Sequence, residues 1–547
     1  MKYSGIFFLG ILLVVVSPVI TQAQERCDAQ VMTAQGPVIG VDDEKSPVCV
    51  YKGIPYAAPP VGRLRFRPPQ PPLKRNSVFK ADHFSAECIQ SGGPMPGVKA
   101  VPRSEDCLYL NIWRPKKSGT FPVMLWIHGG SLTSGSGVIP LYFGDRLAAE
   151  KDVVVVTINY RLAWLGFLAH PDLSLEDPMG SSGNYGLLDQ IEALKWVRRN
   201  IAGFGGDPNN VTIFGESAGG WSVCNLLASP LAAGLFQKAV IESGGCDVVT
   251  TLERGFEVGR KFANDAGCEF RDPIPCLRSK TPEEIKRALD ASSLQAKAEA
   301  REKGRENPGA LSPEQAKFDW IPHIDHWVLN EKPIDALRGQ RFNQVPLMVG
   351  SNKDEFKLFT IAIPGIRSIP KCIIHKELFS ILGGDTASGI EKLYPYENYR
   401  KPADAVLDAL GDMGLGCKCF SAAEAVAAFQ PVYYYRFDFS KHNFPHMVGA
   451  AHAVEIPFIF NTLDRAPANI VASPAKRKKA EPLVRVMMSY WTNFAKTGDP
   501  NGNGLPLWPK YDPVRRERIY LDITSKVAPT DNVLKCEFWA EHDLMQQ

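Results

Sequence analysis

Short apolar runs alternate with helical patterns along most of the chain. Six runs of apolar and β-branched residues predict buried strands, over residues 124–127, 153–158, 211–214, 239–242, 346–349 and 432–437. Two longer segments, 187–201 and 482–494, carry apolar residues at helical spacing. Strands alternating with helices predict an α/β protein, with a large, mostly parallel central sheet covered by helices on both faces.

The remaining segments predict additions to this sheet. Antiparallel strands near residues 31–56 and 107–113 extend one edge. Two insertions interrupt the pattern. One opens with the capping box Thr281 to Glu284 and continues as a charged stretch to about residue 307, which is typical of a solvated helix face. The other, over 359–413, has a helical pattern, and such insertions commonly form a lid or gorge over a site.

The length and charge of the chain narrow its class. At about 150 residues per domain, 547 residues would allow three or four domains, but no Pro/Gly/Ser linker or repeat divides the chain. We therefore expect residues 24–547 to form a single domain. The net charge is +3, with basic and acidic residues interspersed, so we expect no nucleic-acid partner. The one basic run, residues 476–479, follows Ser473 and Pro474 and is interpreted as a solvated loop.

The N-terminus predicts secretion. Lys2 precedes an apolar run over residues 6–16 and small residues that end near Ala23, which is the pattern of a signal peptide over residues 1–23. No other stretch is long enough to span a bilayer. Twelve cysteines then belong in a secreted or periplasmic, oxidising compartment. Cys27 and Cys49 fall in the first strands and are expected to pair, whereas Cys224 is expected to be a reduced, buried thiol.

Ser217 is the candidate nucleophile. The segment Gly215 to Gly219 has the spacing G-x-S-x-G and lies between a predicted strand and a predicted helix. This context is typical of the nucleophile elbow of α/β-hydrolases, in which a strained turn exposes a serine above the sheet. A glycine-rich turn over residues 128–131 follows the predicted strand 124–127, and its backbone amides, with that of Ala218, can stabilise an oxyanion.

The base and the acid must follow Ser217 in the chain, in the order acid, then histidine. His452 is favoured because it follows a predicted strand, taken as the last one, and small neighbours leave its ring room to approach a serine. His442 and His446 are rivals on the same loop. The acid stays open at this stage, because Asp354 and Glu355 both follow the strand at 346–349.

The chain resembles the type-B carboxylesterases, a family that also holds cholinesterases and cholesterol-esterase-type lipases. The resembling segments are 51–57 (YKGIPYA), 62–66 (GRLRF), 104–111 (SEDCLYLN), 159–161 (NYR), 183–190 (GNYGLLDQ), 204–208 (FGGDP) and 491–495 (WTNFA). The resemblance implies an α/β-hydrolase fold and a Ser217, His452 and Glu355 triad. It also implies an oxyanion hole at Gly130, Ser131 and Ala218.

The resemblance also concerns the surroundings of the triad. Glu216 is expected to act as an electrostatic group beside the nucleophile, with elbow packing as the alternative. Phe318 and Trp320 fall where the family places acyl-pocket side chains, although core packing is an equal alternative. The implied disulfides are Cys88 with Cys107, Cys268 with Cys276, and Cys536 with Cys417 or Cys419.

Four departures from the family pattern predict a specialised pocket. Ser131 replaces a glycine of the oxyanion turn, Phe356 replaces the glycine after the acid, and His326 replaces the glycine after Asp325. The loop between Cys88 and Cys107 has no tryptophan, so cation–π recognition of a quaternary ammonium is not expected. A metal at His323 and His326 is not favoured, because the resemblance implies a structural role for Asp325.

The sequence therefore predicts a secreted serine carboxylesterase that acts on a small-molecule ester with no cofactor or metal. A lipase acting on long acyl chains is the alternative within enzymes. A catalytically silent, neuroligin-like binding protein is the alternative outside them, but Ser217 and His452 are both present. The natural ester and the oligomeric state stay open.

Overall fold

The structure, a computed structural model, describes residues 26–268, 272–291, 320–361, 363, 365–382 and 384–542. The predicted signal peptide 1–23 and Phe318 lie outside the described residues. The strands are β1 (Val31–Thr33), β2 (Gly36–Ile39), β3 (Val41–Asp42), β4 (Val48–Pro55), β5 (Phe79–Lys80), β6 (Glu87–Cys88), β7 (Arg103–Ser104), β8 (Tyr109–Pro115), β9 (Phe121–Ile127), β10 (Val154–Ile158), β11 (Gly206–Glu216), β12 (Lys238–Glu242), β13 (Thr250–Thr251), β14 (His323–Ile324), β15 (Leu347–Asn352), β16 (Val432–Phe437), β17 (Glu517–Leu521) and β18 (Lys526–Pro529).

Eleven of these strands form one central sheet, in the order β18-β17-β16-β15-β12-β11-β9-β10-β8-β4-β3. The seven strands from β17 to β10 run parallel, while β18 at one edge and β8, β4 and β3 at the other pair antiparallel. The six strands predicted from apolar runs are neighbours in this parallel part. The predicted mostly parallel sheet is therefore confirmed. The antiparallel additions at one edge are confirmed for β3, β4 and β8, whereas β1 and β2 lie with β5 in a separate three-stranded sheet.

Helices cover both faces of the sheet. They are α1 (Asp145–Lys151), α2 (Ala163–Phe167), α3 (Pro171–Glu176), α4 (Tyr185–Asn200), α5 (Ala218–Ala228), α6 (Leu252–Asp265), α7 (Pro273–Ser279), α8 (described over 282–291), α9 (Pro333–Arg338), α10 (Lys371–Leu382), α11 (Gly384–Leu393), α12 (Pro402–Gly411), α13 (Cys417–Ala427), α14 (Ile456–Ile459), α15 (Ala468–Val471), α16 (Pro474–Thr497) and α17 (Val533–Glu541). No helix in the described part of the chain is long and apolar enough to cross a membrane.

The side chains of β9 show how the two layers of the core arise. Leu125 and Ile127 point into the layer with α4, α5 and α13, whereas Met124 and Trp126 point into the layer with α1 and α16. Successive residues of a strand face opposite sides, so a run of apolar residues fills both layers at once. This is why the central strands are continuous apolar runs.

Two expectations about the C-terminal part were wrong. The strand before His452 is not the last one, because β17 and β18 follow it and extend the sheet. The basic run 476–479 is not a loop but lies in the first turns of α16, which starts with Pro474 at its N-terminus. Proline is favoured in the first turn of a helix. The basic residues lie before the buried stripe of α16, which apolar residues form from Ala480 onward.

Five disulfides are present in the described residues: Cys27–Cys49, Cys88–Cys107, Cys224–Cys246, Cys268–Cys276 and Cys417–Cys536. The expectation that Cys224 is reduced was wrong, because folding of α5 onto β12 brings it to Cys246, just after that strand. Cys419 is a buried thiol and Cys372 an exposed one. The Thr281 capping box forms, since Thr281 N donates to Glu284 at 2.7 Å and Glu284 N donates back to the Thr281 hydroxyl at 3.2 Å.

Candidate active site

Ser217 stands at a strained turn between β11 and α5. Its backbone lies at φ 57° and ψ −123°, a conformation that few residues other than glycine adopt. The turn requires glycine on both sides: a Cβ on Gly215 would lie 2.7 Å from Gly219, and one on Gly219 only 2.0 Å from the carbonyl oxygen of Ile127. The amide of Ser217 donates to the Glu242 carbonyl at 2.9 Å, which ties the turn to β12. The sequence therefore folds here into the predicted elbow.

His452 and Glu355 meet although they are 97 residues apart. The imidazole Nδ1 lies 2.7 Å from Glu355 Oε2. The other oxygen of Glu355 accepts 2.6 Å hydrogen bonds from the Ser243 hydroxyl and from the amide of Asn352. Both side chains are buried. A carboxylate held in this way fixes the ring orientation and the tautomer that leaves Nε2 free to act as a base.

The structure also separates the rival candidates. Asp354 turns away from His452, because it accepts from the amide of Ala450 at 2.8 Å and pairs with Lys357 at 2.5 Å. His442 Nε2 contacts the carbonyl of Gly449 at 2.7 Å, and burial lowers the pKa of this ring. Neither side chain faces the elbow.

A glycine-rich turn follows β9 and meets the elbow. A Cβ on Gly129 would lie 2.7 Å from the Glu216 carbonyl oxygen and 3.0 Å from Ser217 Cβ, so only glycine permits this approach. Gly130 and Ser131 continue the turn at φ 109° and 54°. Neither of their amides donates to a described backbone carbonyl in this turn. They are available, with the first amide of α5, for an oxyanion beside Ser217.

Nε2 of His452 faces Glu216 in this structure. It lies 3.0 Å from Glu216 Oε1, close enough for an ion pair, although the oxygen is not aligned for a hydrogen bond. Among the described side chains, Ser217 and His452 share no hydrogen bond. Burial alone would lower the pKa of His452, but the two carboxylates outweigh it and raise the pKa well above its ordinary value. Hydrogen bonds of catalytic groups often tighten only when substrate binds.

Sequence reasoning missed several residues that surround this site. Ser243 and Asn352 hold Glu355, and Asn352 Nδ2 also donates to Glu455. Glu242 accepts a 2.7 Å hydrogen bond from Trp491 Nε1. One signal was available for Glu242: an acidic residue follows the apolar residues 239–241 of β12, at the carboxyl end of the strand where such sites are built.

The mouth of the site is aromatic. The Phe359 ring lies 5.2 Å from the His452 ring and 5.3 Å from Phe356, and Phe359 is 51% exposed. The end of α12 packs on the turn that carries Glu355, so the predicted helical insertion does border the site. Trp320 packs edge-on against Phe262 at 5.3 Å within a hydrophobic cluster, as in the core-packing alternative.

His323 and Asp325, beside the position that the sequence did not favour as a metal site, form hydrogen bonds within the protein. His323 is buried with Nδ1 3.2 Å from the Gly183 carbonyl, and burial lowers the pKa of His323 to about 4. Asp325 accepts from the amides of residues 327–329. Within the described ranges, no group of three His, Cys, Asp or Glu side chains is arranged to hold a metal ion.

Known esterases resemble the chain over nearly its whole length. The model of the carboxylesterase family matches residues 27–539. Para-nitrobenzyl esterase of Bacillus subtilis (strain 168) is 36% identical over 497 residues, which are 90% of this chain and 95% of that protein. Fumonisin B1 esterase of Sphingopyxis macrogoltabida is 36% identical over 496 residues, 88% of this chain and 84% of that protein. A crystal structure of a Geobacillus stearothermophilus carboxylesterase at pH 6.2 aligns with a TM-score of 0.78 and 35% identity, over 93% of this chain and 99% of that one.

Proposed function

Because the chain belongs to the carboxylesterase family and has its α/β-hydrolase fold, we propose that this ester hydrolase works through Ser217, His452 and Glu355 and a covalent acyl-enzyme. The observation that carries the proposal is the 2.7 Å contact of His452 Nδ1 with Glu355, beside the strained turn of Ser217. A serine hydroxyl needs a base to become nucleophilic, and a base needs a fixed tautomer.

In the first half-reaction the hydroxyl of Ser217 attacks the ester carbonyl carbon while His452 Nε2 takes its proton. The carbonyl oxygen becomes an anion, which the amides of Gly130, Ser131 and Ala218 stabilise. The bond from carbon to the alkoxy oxygen then breaks, and the imidazolium returns its proton to the leaving alcohol. The acyl group stays on Ser217.

In the second half-reaction water replaces the alcohol. His452 takes a proton from the water as its oxygen attacks the acyl carbon, and the same amides stabilise the second tetrahedral intermediate. Collapse of that intermediate breaks the bond to Ser217, which recovers its proton from the imidazolium. Glu355 and Glu216 both favour the imidazolium that forms in each half-reaction, since each lies within 3.0 Å of a ring nitrogen.

The test is hydrolysis of p-nitrophenyl esters from acetate to palmitate, and of p-nitrobenzyl acetate, by the mature protein and by Ser217→Ala. We expect kcat/KM to fall about 10⁴- to 10⁶-fold in the variant, with the circular dichroism spectrum unchanged. A variant that keeps a tenth of the activity would refute Ser217 as the nucleophile. Stoichiometric labelling of the wild-type protein, but not of Ser217→Ala, by a fluorophosphonate would exclude the catalytically silent binding protein.

A lipase acting on long-chain esters is the second candidate. Exposed apolar side chains just after Glu355 in the chain favour this candidate, since Leu358, Phe359 and Ile361 are 39%, 51% and 42% exposed. Exposed apolar residues beside a site suit an apolar substrate. An optimum at C4 or shorter on the ester ladder would support a short-chain esterase, whereas an optimum at C12 or longer would support a lipase.

We also propose that residues 24–547 form one secreted or periplasmic domain, released from the signal peptide 1–23. The five disulfides support an oxidising compartment. Expression of the full-length chain with a C-terminal tag, followed by N-terminal sequencing of the exported protein, tests both the export and the cleavage of the signal peptide. A mature N-terminus near residue 24 is expected, and an intact Met1 in the cell interior would contradict it.

A further inference from the structure

Two glutamates stand side by side at the edge of the sheet behind His452. Glu216 at the end of β11 and Glu242 at the end of β12 are direct register partners in a parallel pair. Glu242 is in turn the partner of Gly350, and Gly350 of Tyr435. Register partners in neighbouring strands put their side chains on the same face, with about 5 Å between the strands. The two carboxyl groups therefore point into the same space.

This space is closed and polar. A Cβ on Gly350 would lie 2.4 Å from the Tyr435 ring, so that ring leans across Gly350 toward Glu242. On the other side Trp491 of α16 donates its indole N–H to Glu242 Oε1. The second oxygen of Glu242 is buried and has no hydrogen-bond partner among the described residues, and the same holds for the Tyr435 hydroxyl and one oxygen of Glu455.

The charges here do not balance if every acid is ionised. Four buried carboxyl groups, of Glu216, Glu242, Glu355 and Glu455, form one cluster, and two of them, Glu216 and Glu355, contact the imidazole of His452. No lysine or arginine in the described part of the chain pairs with any of them; their only cationic partner is His452. An unpaired buried charge costs several kcal/mol, and adjacent carboxylates cannot all ionise in such a place. Some of these groups must hold protons.

The hydrogen bonds indicate which groups those are. Glu355 accepts three hydrogen bonds and Glu216 faces the imidazole, so both are suited to be anions. Glu242 and Glu455 each have one donor on one oxygen and none on the other. A free carboxyl oxygen beside an anion is where a proton is most stable.

We propose that Glu242 is a positioning residue of the catalytic site: it remains protonated and donates this proton in a hydrogen bond to Glu216. The hydrogen bond spreads the negative charge of Glu216 and weakens its hold on His452 Nε2. The imidazole can then turn from Glu216, where it lies in the free protein, to the hydroxyl of Ser217. The inference rests on the triad proposed above.

The surroundings of Glu242 keep it neutral up to alkaline pH. Burial raises the pKa of Glu242 to about 8, the negative charge of Glu216 adds to this, and the hydrogen bond from Trp491 opposes it. Burial raises the pKa of Tyr435, which faces Glu242 from β16, so this phenol stays neutral too. Among the described residues, the other titratable side chains around the cluster are Tyr142, Glu355, Cys419, His452 and Glu455, and burial raises the pKa of the Cys419 thiol so that it too stays neutral.

The first test is the pH dependence of kcat/KM for p-nitrophenyl acetate in Glu242→Gln. Glutamine keeps a neutral donor that does not ionise. We expect the wild-type protein to lose activity on the alkaline side with a midpoint near pH 8, about tenfold per further pH unit, and the variant to lack this decline up to pH 9.5. Glu257→Gln, an exposed position on α6, is the matched control and should follow the wild-type profile.

A second variant moves the same midpoint in a known direction. Trp491→Phe removes the N–H that favours the ionised form of Glu242. We expect the alkaline midpoint to rise by about half to one pH unit, since a hydrogen bond of this kind contributes about 0.5–1.5 kcal/mol. A merely structural role for Trp491 would change the rate without moving the midpoint, and that result would contradict the proposal.

Thermal unfolding tests the proton on Glu242 without any activity. A buried acid with a raised pKa stays protonated in the folded state while the unfolded state ionises, so folding is disfavoured progressively as pH rises from about 4.5 to about 8. The wild-type Tm should therefore fall more steeply across this range than the Tm of Glu242→Gln. Parallel Tm curves would overturn the proposal even if Ser217→Ala confirms the nucleophile. Different Tm curves with identical alkaline limbs would overturn the link from Glu242 to catalysis.

Discussion

Two buried charged regions of this protein are built in opposite ways. Arg161 and Asp189 form an ion pair with side chains 2% and 0% exposed. Arg161 donates to both oxygens of Asp189 at 2.7 and 2.8 Å, its own amide adds a third hydrogen bond, and the remaining nitrogen reaches the Arg67 carbonyl. Behind the proposed nucleophile, by contrast, four carboxyl groups lie in one cluster, only two of them contact the His452 imidazole, and several of their oxygens have no hydrogen-bond partner among the described residues.

The difference separates a structural use of buried charge from a chemical one. In the Arg161 and Asp189 pair, both charges are matched and their hydrogen-bonding groups are satisfied, so the pair serves as a fixed link between two parts of the fold. In the cluster of carboxyl groups, burial raises the pKa of Glu242 to about 8, and the carboxylates of Glu216 and Glu355 raise the pKa of His452. Protons can therefore move within the pH range in which enzymes work. Proteins keep such unbalanced groups where their chemistry requires them.

The largest expected effect is on catalysis, from Glu355→Gln. Glutamine cannot hold the imidazole in the tautomer that leaves Nε2 free, so we expect kcat/KM for p-nitrophenyl acetate to fall about 10³- to 10⁴-fold. The Tm should change by only a few degrees, because the amide keeps the shape of the carboxyl group. A loss of less than tenfold would mean that another residue is the acid. The matched control is Asp354→Asn, which changes the neighbouring carboxylate that turns away from His452 and should leave kcat/KM nearly unchanged.

The next effect is on stability, from Asp189→Asn. This variant leaves the Arg161 charge buried without its anion, so the free energy of unfolding should fall by about 3–5 kcal/mol, as measured by denaturant titration. The exposed pair of Arg485 and Glu481 provides a control, since Glu481→Gln should cost no more than about 0.5 kcal/mol. If Asp189→Asn were as mild as Glu481→Gln, the contrast between the two buried regions would not hold.

The smallest effect concerns the pH profile of Glu216→Gln. His452 must be neutral to act as a base, so the wild-type activity falls as pH decreases through its raised pKa. Removal of one of the two adjacent carboxylates lowers that pKa, so the acid limb of kcat/KM should move to lower pH, with about a tenfold loss at the optimum. An acid limb that stays in place would mean that Glu216 does not act on His452.

Much of the framework could be predicted from the sequence. The six central strands, α4 and α16, and the elbow at Ser217 each depend on residues a few positions apart, and all are present. The proposal of His452 and of the glycine turn after β9 as site residues follows from their place relative to these elements. The choice of Glu355 over Asp354 needed the family resemblance, because neighbouring carboxylates look alike in a sequence. The basic run 476–479 was predicted to be a loop from its local sequence, but the packing of α16 on the sheet extends the helix over it.

The sequence by itself determined the order of strands and helices, the strained turn at Ser217 and the residues available for chemistry, because these follow from local periodicity, turn residues and caps. Only the tertiary structure decided that Glu216 stands beside Glu242, that Cys224 pairs with Cys246 and that the His452 ring faces Glu216. These contacts join residues from about 20 to more than 200 positions apart. They depend on strand register and on the packing of helices over the sheet, which are properties of the whole core and not of any one segment.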